Sequence, residues 1–526
     1  MSFLHRFRFK QLFSPDYLFL FCAAFFIRFP FFFRDYIDRD ESTFILIGKS
    51  ITDGHLPYDH MWDLKPPLLF YFFAFVQYIF PDSLAAIRFF GVLIVFISAV
   101  VLMKIAKAIG AKNHFAIGLS YVVFSSLFGS IQGIMSEHVA VLFFLPGLFF
   151  FLKNNKPPDL ILSGFLFGCA LLCKLNYAYP LTALLIYYFI TEFRTTGFIP
   201  LIKNILLVSI AVLLPIIIIA IPYLQQEKLK LYIDSVFMAT LEYGHTNKTT
   251  LLRKLTVTSW LLIIGMAISF LAIKFSGRHE KKHVGLFISM FAATIFTFFS
   301  SGTLNGHYLI QVYPFMAILI LGFTIQRELT PGYMKYTILV LLISLESYIE
   351  YYRVIKNYSE TSSLYHGKAI TSINKLKMLG LDKKKIFFAD HHIGYWFLHE
   401  YPLTRSVTHP SSLSRPAFFK HFGNTRNTME ELKYILEDIN PEVIVSRYEY
   451  LSFFKEKDPE NLYFMSRMKN YYEIVFQDPG QMIFIWAKKI NYVSRLNNES
   501  TNSCLSNTRR SVIFSPTPMN FTGILN

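Results

Sequence analysis

Charge is what this chain of 526 residues has least of. Asp, Glu, Lys and Arg make up 16% of it, against about 25% in soluble domains, so a wholly water-soluble protein is excluded. Acids are scarcer than bases, 35 against 51, which leaves a net charge of +16. The Lys and Arg residues are spread over short loops between hydrophobic blocks, where membrane proteins keep positive charge on the cytoplasmic side, so no nucleic-acid partner is expected. Cysteine is scarce too. Three of the four lie in apolar blocks (Cys22, Cys169 and Cys173) and Cys504 lies in a polar tail, with no metal-ligand spacing and no disulfide framework. The basic stretch 1–10 precedes an apolar segment without a small-residue cleavage site and reads as the start of a retained span rather than a removed signal peptide.

Apolar residues fill the space that charge leaves. They are 53% of the chain, the mean hydropathy is +0.40, and blocks such as 205–223 carry no charge at all. A membrane helix needs roughly 20 mostly apolar residues, and these blocks are apolar all round rather than on one stripe. Candidate spans are 17–33, 84–103, 115–127, 138–152, 160–172, 178–190, 205–223, 256–273, 284–299, 308–325 and 336–349. The expected fold class is an α-helical polytopic membrane protein of about 11 to 13 spans. With the N-terminus inside because of Arg6, Arg8 and Lys10, most basic loops fall inside, as the positive-inside rule asks. The stretch 224–254, with Lys228, Lys230, Lys248, Arg253 and Lys254, falls outside and is the exception. Residues 67–80 are apolar but short, and counting them as a span inverts every later loop. They read as a helix in the interface, with a true span and another span missed elsewhere as the alternative.

Polar residues return at Tyr351. Strand-like runs at 385–389, 443–446, 473–476 and 482–486, with a helical stretch at 429–437, suggest a small C-terminal α/β soluble domain over 351–494. Residues 495–526, rich in Asn, Ser and Thr, read as a disordered tail. The membrane domain is thus 1–350. Four Asn-x-Ser/Thr triplets, at Asn247, Asn357, Asn498 and Asn520, decide nothing in a chain of this length.

The loop 34–66 between the first two long blocks is the most unusual part. Asp35, Asp38, Asp40, Glu41, Asp53, Asp59 and Asp63 crowd into it in an otherwise basic protein. Asp40 stands where a helix should begin, ahead of the apolar stripe of Phe44, Ile45 and Ile47, so it is either an N-cap or a functional acid.

Asp40-Glu41, a helix of about ten residues, Gly-x-x-Pro-Tyr, Trp62-Asp63, Lys65-Pro66-Pro67-Leu68, an aromatic helix and then Arg88 resemble the multi-span glycosyltransferases of the GT-C type. Within that type the pattern is similar to the bacterial branch near protein O-mannosyltransferases and lipid A aminoarabinose transferases. The likeness covers about residues 15–110, with weaker echoes at Ser136-Glu137-His138, at Lys174 and at Gly306-His307-Tyr308. It implies a sugar moved, with inversion, from a polyprenyl-phosphate carrier to a lipid, surface-polysaccharide or protein acceptor. It also implies a multi-pass protein of the plasma (inner) membrane with its site on the extracytoplasmic, periplasmic side. An acceptor hydroxyl needs a positioned carboxylate to take its proton; Asp40 is the expected base, with Glu41 beside it shaping the acceptor site. The departing phosphate needs cationic or hydrogen-bonding partners, for which Lys65, His307 and Tyr308 are the candidates. Asp63, Glu137, His138, Lys174 and Arg88 are expected to support the acceptor or the site. A divalent cation, if one takes part, would be held by Asp40 and Glu41; no other cofactor is expected.

Plainer roles stand beside these. Lys65 and Lys174 are long enough to snorkel to the interface, Tyr308 fits an aromatic anchor of a span end, His138 fits a cap or core residue, and Arg28 and Arg88 fit charge partners inside the bundle. Glu137 is harder to set aside, since acids near a span are costly. Where aminoarabinose transferases continue the acidic pair with Ala-Arg-Tyr, this chain has Ser42, Thr43 and Phe44, and their Glu-Lys-Pro becomes Asp63-Leu64-Lys65-Pro66. Both departures weaken aminoarabinose as the sugar and lipid A as the acceptor. A transporter or flippase of lipid-linked glycans is the competing function; the acids collect in a loop rather than at the midplane of broken, repeated helices. A membrane scaffold displaying the α/β domain would not need the acidic loop.

Overall fold

Helices begin where the sequence can satisfy their first amides. In α1 (Pro15–Arg28) the Ser14 hydroxyl accepts the Tyr17 N–H, Pro15 takes a position that needs no donor, and Asp16 sits in the first turn, where the helix dipole favours an acid. The computed structural model describes residues 14–153, 156–246, 250–301, 305–325, 327–329 and 332–489. Arg6, Arg8 and Lys10, Asn247 and Lys248, Asn498, Asn520, Cys504 and the tail 495–526 lie outside the described residues.

Among the described residues six helices are long and apolar enough to cross a membrane: Pro15–Phe33, Leu84–Ala108, Ser136–Lys153, Phe198–Gln225, Thr258–Phe275 and Lys281–Ser300. Five shorter apolar helices accompany them, at Pro67–Ile79, His114–Phe124, Pro157–Leu171, Tyr313–Thr324 and Tyr333–Ile343. The expected blocks fall on helices, and the chain is a helical, multi-pass membrane protein. We label the next elements α2 (Arg39–Thr52), α3 (Pro67–Ile79), α4 (Leu84–Ala108), α5 (His114–Phe124), α6 (Ser136–Lys153), α7 (Pro157–Leu171), α8 (Ala178–Thr196) and α9 (Phe198–Gln225). Close helix packing uses small residues, as lipid-embedded bundles do. Gly164 and Gly168, four apart on α7, lie so near α9 that a Cβ on either would collide with the carbonyl oxygens of Val208 and Val212.

The expected block 308–325 is more broken than a span helix. It opens with a 3-10 turn, Gly306–Gln311, that carries His307 and Tyr308, and continues through Tyr313–Ala317 into a π-helical segment, Ile318–Thr324. The block 336–349 is two helices, Tyr333–Ile343 and Leu345–Thr361, that meet at Ser344. The helix α3 has 13 residues, about 20 Å at 1.5 Å per residue, where the hydrocarbon layer is about 30 Å. It packs along α2, with Gly48 against Phe73 and Ala74. Gln77 donates to the Ile45 carbonyl (2.9 Å) and accepts from the Trp396 indole (2.8 Å).

Near the C-terminus a four-stranded sheet forms from β1 (Ile386–Phe388), β2 (Val443–Ser446), β3 (Tyr472–Asp478) and β4 (Ile483–Lys488), in the order β1-β2-β4-β3. Only β1 and β2 are parallel; Val443 pairs with Ile386 on one side and with Ala487 on the other. The four strand-like runs of the sequence lie on these strands, and 429–437 lies on a helix, Thr428–Lys433, that continues as a π turn.

The sheet region is joined to the acidic loop at several points. The buried Asp35 carboxylate accepts the N–H groups of Ala369 (2.7 Å) and Ile370 (3.0 Å) at the start of helix Lys368–Met378. Gly367, at φ +136°, leaves no room there for a Cβ. Buried Glu350 is held by Arg34, Arg353 and His366. Buried Trp62 is tied in at both ends: its N–H donates to Thr408 Oγ1 (3.2 Å) and its indole to Ser235 (3.0 Å). These contacts make the sheet region a roof over the loop. Asn357, one of the four triplet asparagines, uses its side-chain amide to bind the carbonyls of Ser363 and Tyr365.

Candidate active site

The start of α2 sets the site. Asp38, not Asp40, is its N-cap: the Asp38 side chain accepts the Asp40 N–H at 2.9 Å. That corrects one of the two readings of Asp40 and leaves its carboxylate free to face a cavity of about 980 Å³. The next residue points elsewhere, because successive side chains on a helix diverge by about 100°. Glu41 is buried against the bundle, ion-paired to Arg88 and accepting the Ile134 N–H at 2.7 Å. A Cβ on Gly133 would stand 2.6 Å from that carboxylate.

Glu41 and Arg28 together hold the irregular stretch 125–135 between α5 and α6. The Arg28 guanidinium donates to the carbonyls of Ser125, Ile131, Gln132 and Gly133, which buried irregular backbone leaves without ladder partners. His138 belongs to the same structure; its Nδ1 accepts the Met135 N–H at 3.2 Å. Glu41, Arg88, His138, Asp63 and Glu137 do not line the cavity.

Around Asp40 the cavity is cationic. Arg39, Lys65, Lys174, Lys254 and Arg415 line it with His307 and His409, and Asp38 and Asp40 are the acids among its lining residues. Lys65 donates to Asp40 Oδ2 at 3.0 Å and lies 3.9 Å from Asp63. Lys174 pairs with buried Glu137 (2.7 Å) and stands over the Tyr308 ring (4.7 Å), which His307 meets edge-on. Arg39 is bound to buried Asp390 at 3.2 Å. Asp40, Lys65, Lys174, His307 and Tyr308 are thus brought to one cavity, with Glu137 and Asp63 behind the two lysines.

Burial would raise the Asp40 pKa, but the ammonium of Lys65 and the ring of His409 outweigh it and hold the carboxyl well below its usual range. Asp38 moves the other way, pushed up by burial and then by the charge on Asp40. Burial works against the Lys65 ammonium, and the charges on Asp40 and Asp63 more than compensate, raising its pKa. The site therefore rests as a carboxylate–ammonium pair.

The residues missed by sequence reading are His409, Arg39, Arg415 and Lys254. His409 Nε2 lies 3.3 Å from Asp40 Oδ1. Arg415 stands over the Tyr243 ring at 5.3 Å, and Lys254 donates to the Ser300 carbonyl at 3.0 Å. The basic stretch 224–254 reaches both the acidic loop and the cavity. Lys228 pairs with Asp59 of the acidic loop at 2.9 Å, and Lys254 faces the cavity. The seven loop acids divide their tasks: Asp35 and Asp38 cap helices, Asp53 and Asp59 meet Lys49 and Lys228, Glu41 and Asp63 are buried, and Asp40 faces the cavity between Lys65 and His409.

A metal ion on Asp40 and Glu41 does not fit this arrangement. Lys65 occupies Asp40 Oδ2, the His409 ring stands 3.3 Å from Oδ1, and Glu41 turns away to Arg88. Among the described residues no group of three or more His, Cys, Asp and Glu side chains converges.

Residues 64–219 match the model of the dolichyl-phosphate-mannose-protein mannosyltransferase family. The match begins one residue before Lys65 and takes in Arg88, Glu137, His138 and Lys174. No curated protein matches the chain. Among solved structures, the archaeal oligosaccharyltransferase AglB from Archaeoglobus fulgidus, in complex with an inhibitory peptide and a dolichol-phosphate, is similar over 92% of this chain and 75% of its own. Its sequence identity is 12% and its TM-score 0.46. The family match supports the likeness to GT-C type membrane glycosyltransferases read from the loop.

Proposed function

We propose that the chain is a membrane glycosyltransferase that takes a sugar from a polyprenyl-phosphate carrier and passes it to a lipid, glycan or protein acceptor on the outer face of the membrane. The observation that carries this reading is the cavity itself, in which the Asp40 carboxylate stands at the edge of a cluster of cations. Such a cluster suits a phosphate whose charge grows as it departs, and the carboxylate suits a proton leaving a hydroxyl.

In the proposed step the acceptor oxygen attacks the anomeric carbon while the bond from that carbon to the carrier phosphate oxygen breaks. The bonding pair leaves with the phosphate, and the acceptor proton goes to Asp40. One displacement inverts the anomeric centre. Lys65 and Lys174, with His307 and Tyr308, receive the phosphate; Glu137 holds Lys174 in place. Glu41 acts at a distance, through its ion pair with Arg88 and its hold on Ile134. The C-terminal sheet region takes part as the roof that supplies His409 and Arg415.

Comparing surface lipids and glycans by mass spectrometry, from cells with and without the gene, tests the reading. A product missing one sugar residue in the deletion, restored by the wild-type gene, is expected. Unchanged product masses together with altered transbilayer movement of a carrier-linked glycan would favour a flippase instead.

A further inference from the structure

We infer that His409, delivered by the C-terminal sheet region, is a positioning residue for the base Asp40: its Nε2–H orients the carboxylate from the side opposite Lys65. This rests on the reading of Asp40 as the base, and it adds a residue that lies far from the acidic loop in sequence and outside the family match at 64–219.

The tautomer is fixed by the local fold. His409 precedes a 3-10 turn, Pro410–Ser414, and its Nδ1 accepts the Ser411 N–H at 3.1 Å, with the Ser411 hydroxyl 2.7 Å away. A ring nitrogen that accepts a backbone N–H carries no proton of its own, so the neutral ring holds its proton on Nε2. Nε2 faces Asp40 Oδ1 at 3.3 Å, while Lys65 occupies Oδ2 at 3.0 Å. The carboxylate is therefore flanked at both oxygens. Lys65 from the loop donates to Oδ2. His409 from the roof brings within 3.3 Å of Oδ1 a buried Nε2 that has no hydrogen-bond partner among the described residues of the resting site, a contact of the kind that tightens when substrate binds.

Other groups around the ring do not replace this contact. His392 lies 5.9 Å away, centroid to centroid, and bonds Thr43 at 2.9 Å; Phe453 packs at 6.3 Å. Asp38 and His307 line the same cavity, and Arg39 is bound to Asp390. His409 is buried yet lines the cavity, so it sits where a donor to the carboxylate must sit and where a purely structural histidine need not.

Glutamine and asparagine separate the two nitrogens. The amide of Gln reaches the place of Nε2, whereas that of Asn reaches the place of Nδ1. In purified protein assayed with a polyprenyl-phosphate sugar, His409→Ala is expected to lower kcat about 10- to 100-fold, the range for one hydrogen bond to a charged group, with the donor KM nearly unchanged. His409→Gln should recover most of that loss and His409→Asn should not. Losing a donor destabilises the charged carboxylate, so the acid limb of the pH–rate profile should move to higher pH in His409→Ala and return in His409→Gln. Thermal unfolding of each variant in detergent monitors folding. The inference is overturned if His409→Ala keeps full kcat, or if Gln and Asn are equally impaired in folded protein with an unmoved acid limb. Asp40→Asn is run alongside: if it stays active, the base assignment itself fails; if it is inactive while His409→Ala is normal, only this inference fails.

Discussion

Replacing Lys65 with Met keeps the length of the side chain and removes its charge. Lys65 is mostly buried, donates to Asp40 at 3.0 Å and lies 3.9 Å from Asp63, so the substitution leaves two carboxylates without their shared cation. Breaking a buried pair by removing one partner costs about 3–5 kcal/mol; Asp40 is about a quarter exposed, 23%, and the lower end applies. Losing a preorganised partner of the departing charge is worth about 100- to 1000-fold in kcat. The assay is turnover of a polyprenyl-phosphate sugar by detergent-solubilised protein, paired with thermal unfolding. Lys65→Met should lose activity by that factor, and its remaining rate should fall off at higher pH than the wild type, because the Asp40 carboxylate has lost the ammonium that favours its charged form. Adding Asp40→Asn should recover stability without recovering turnover. A Lys65→Met protein within threefold of wild-type kcat would refute both the phosphate role and the pairing argument.

The clamp behind the loop makes a second prediction. Arg88→Met strands buried Glu41 and should cost about 3–5 kcal/mol, seen as a loss of monodisperse protein, whereas Glu41→Gln with Arg88→Met should fold far better than Arg88→Met alone; equal yields would remove the ion pair from the account. At the α7–α9 contact, Gly164→Leu drives a side chain into Val208 and Ala211 and should destabilise by about 1–3 kcal/mol, read as a lower unfolding temperature, with catalysis intact in the folded fraction.

Much of this fold is legible in the sequence because its signals are local. Spans declare themselves as uncharged blocks, and runs such as Val443–Ser446 stand out against polar surroundings. The breaks inside blocks, at Gly306–Gln311 and at Ser344, are not legible from hydropathy, since a 3-10 turn and a helix share the same apolar composition. In the site, Asp40 and Lys65 stand in a dense motif, but His409 and Arg415 come from a segment with no motif, and only the tertiary fold brings them near. A local signal did bear on the acidic pair. Successive side chains on a helix diverge by about 100°, so Asp40 and Glu41 could part, one to the cavity and the other to Arg88. The acid two residues earlier, Asp38, is as good an N-cap by type as Asp40.

Asp40→Asn is the sharpest test of Asp40 as the base that takes the acceptor proton. The substitution is nearly isosteric and removes the charge. The measurement is single-turnover transfer from a polyprenyl-phosphate sugar by purified protein, alongside its unfolding temperature. A folded variant with transfer reduced by at least about 100-fold is expected, in line with loss of a general base. A folded Asp40→Asn protein that transfers sugar at the wild-type rate would show that Asp40 is not the base.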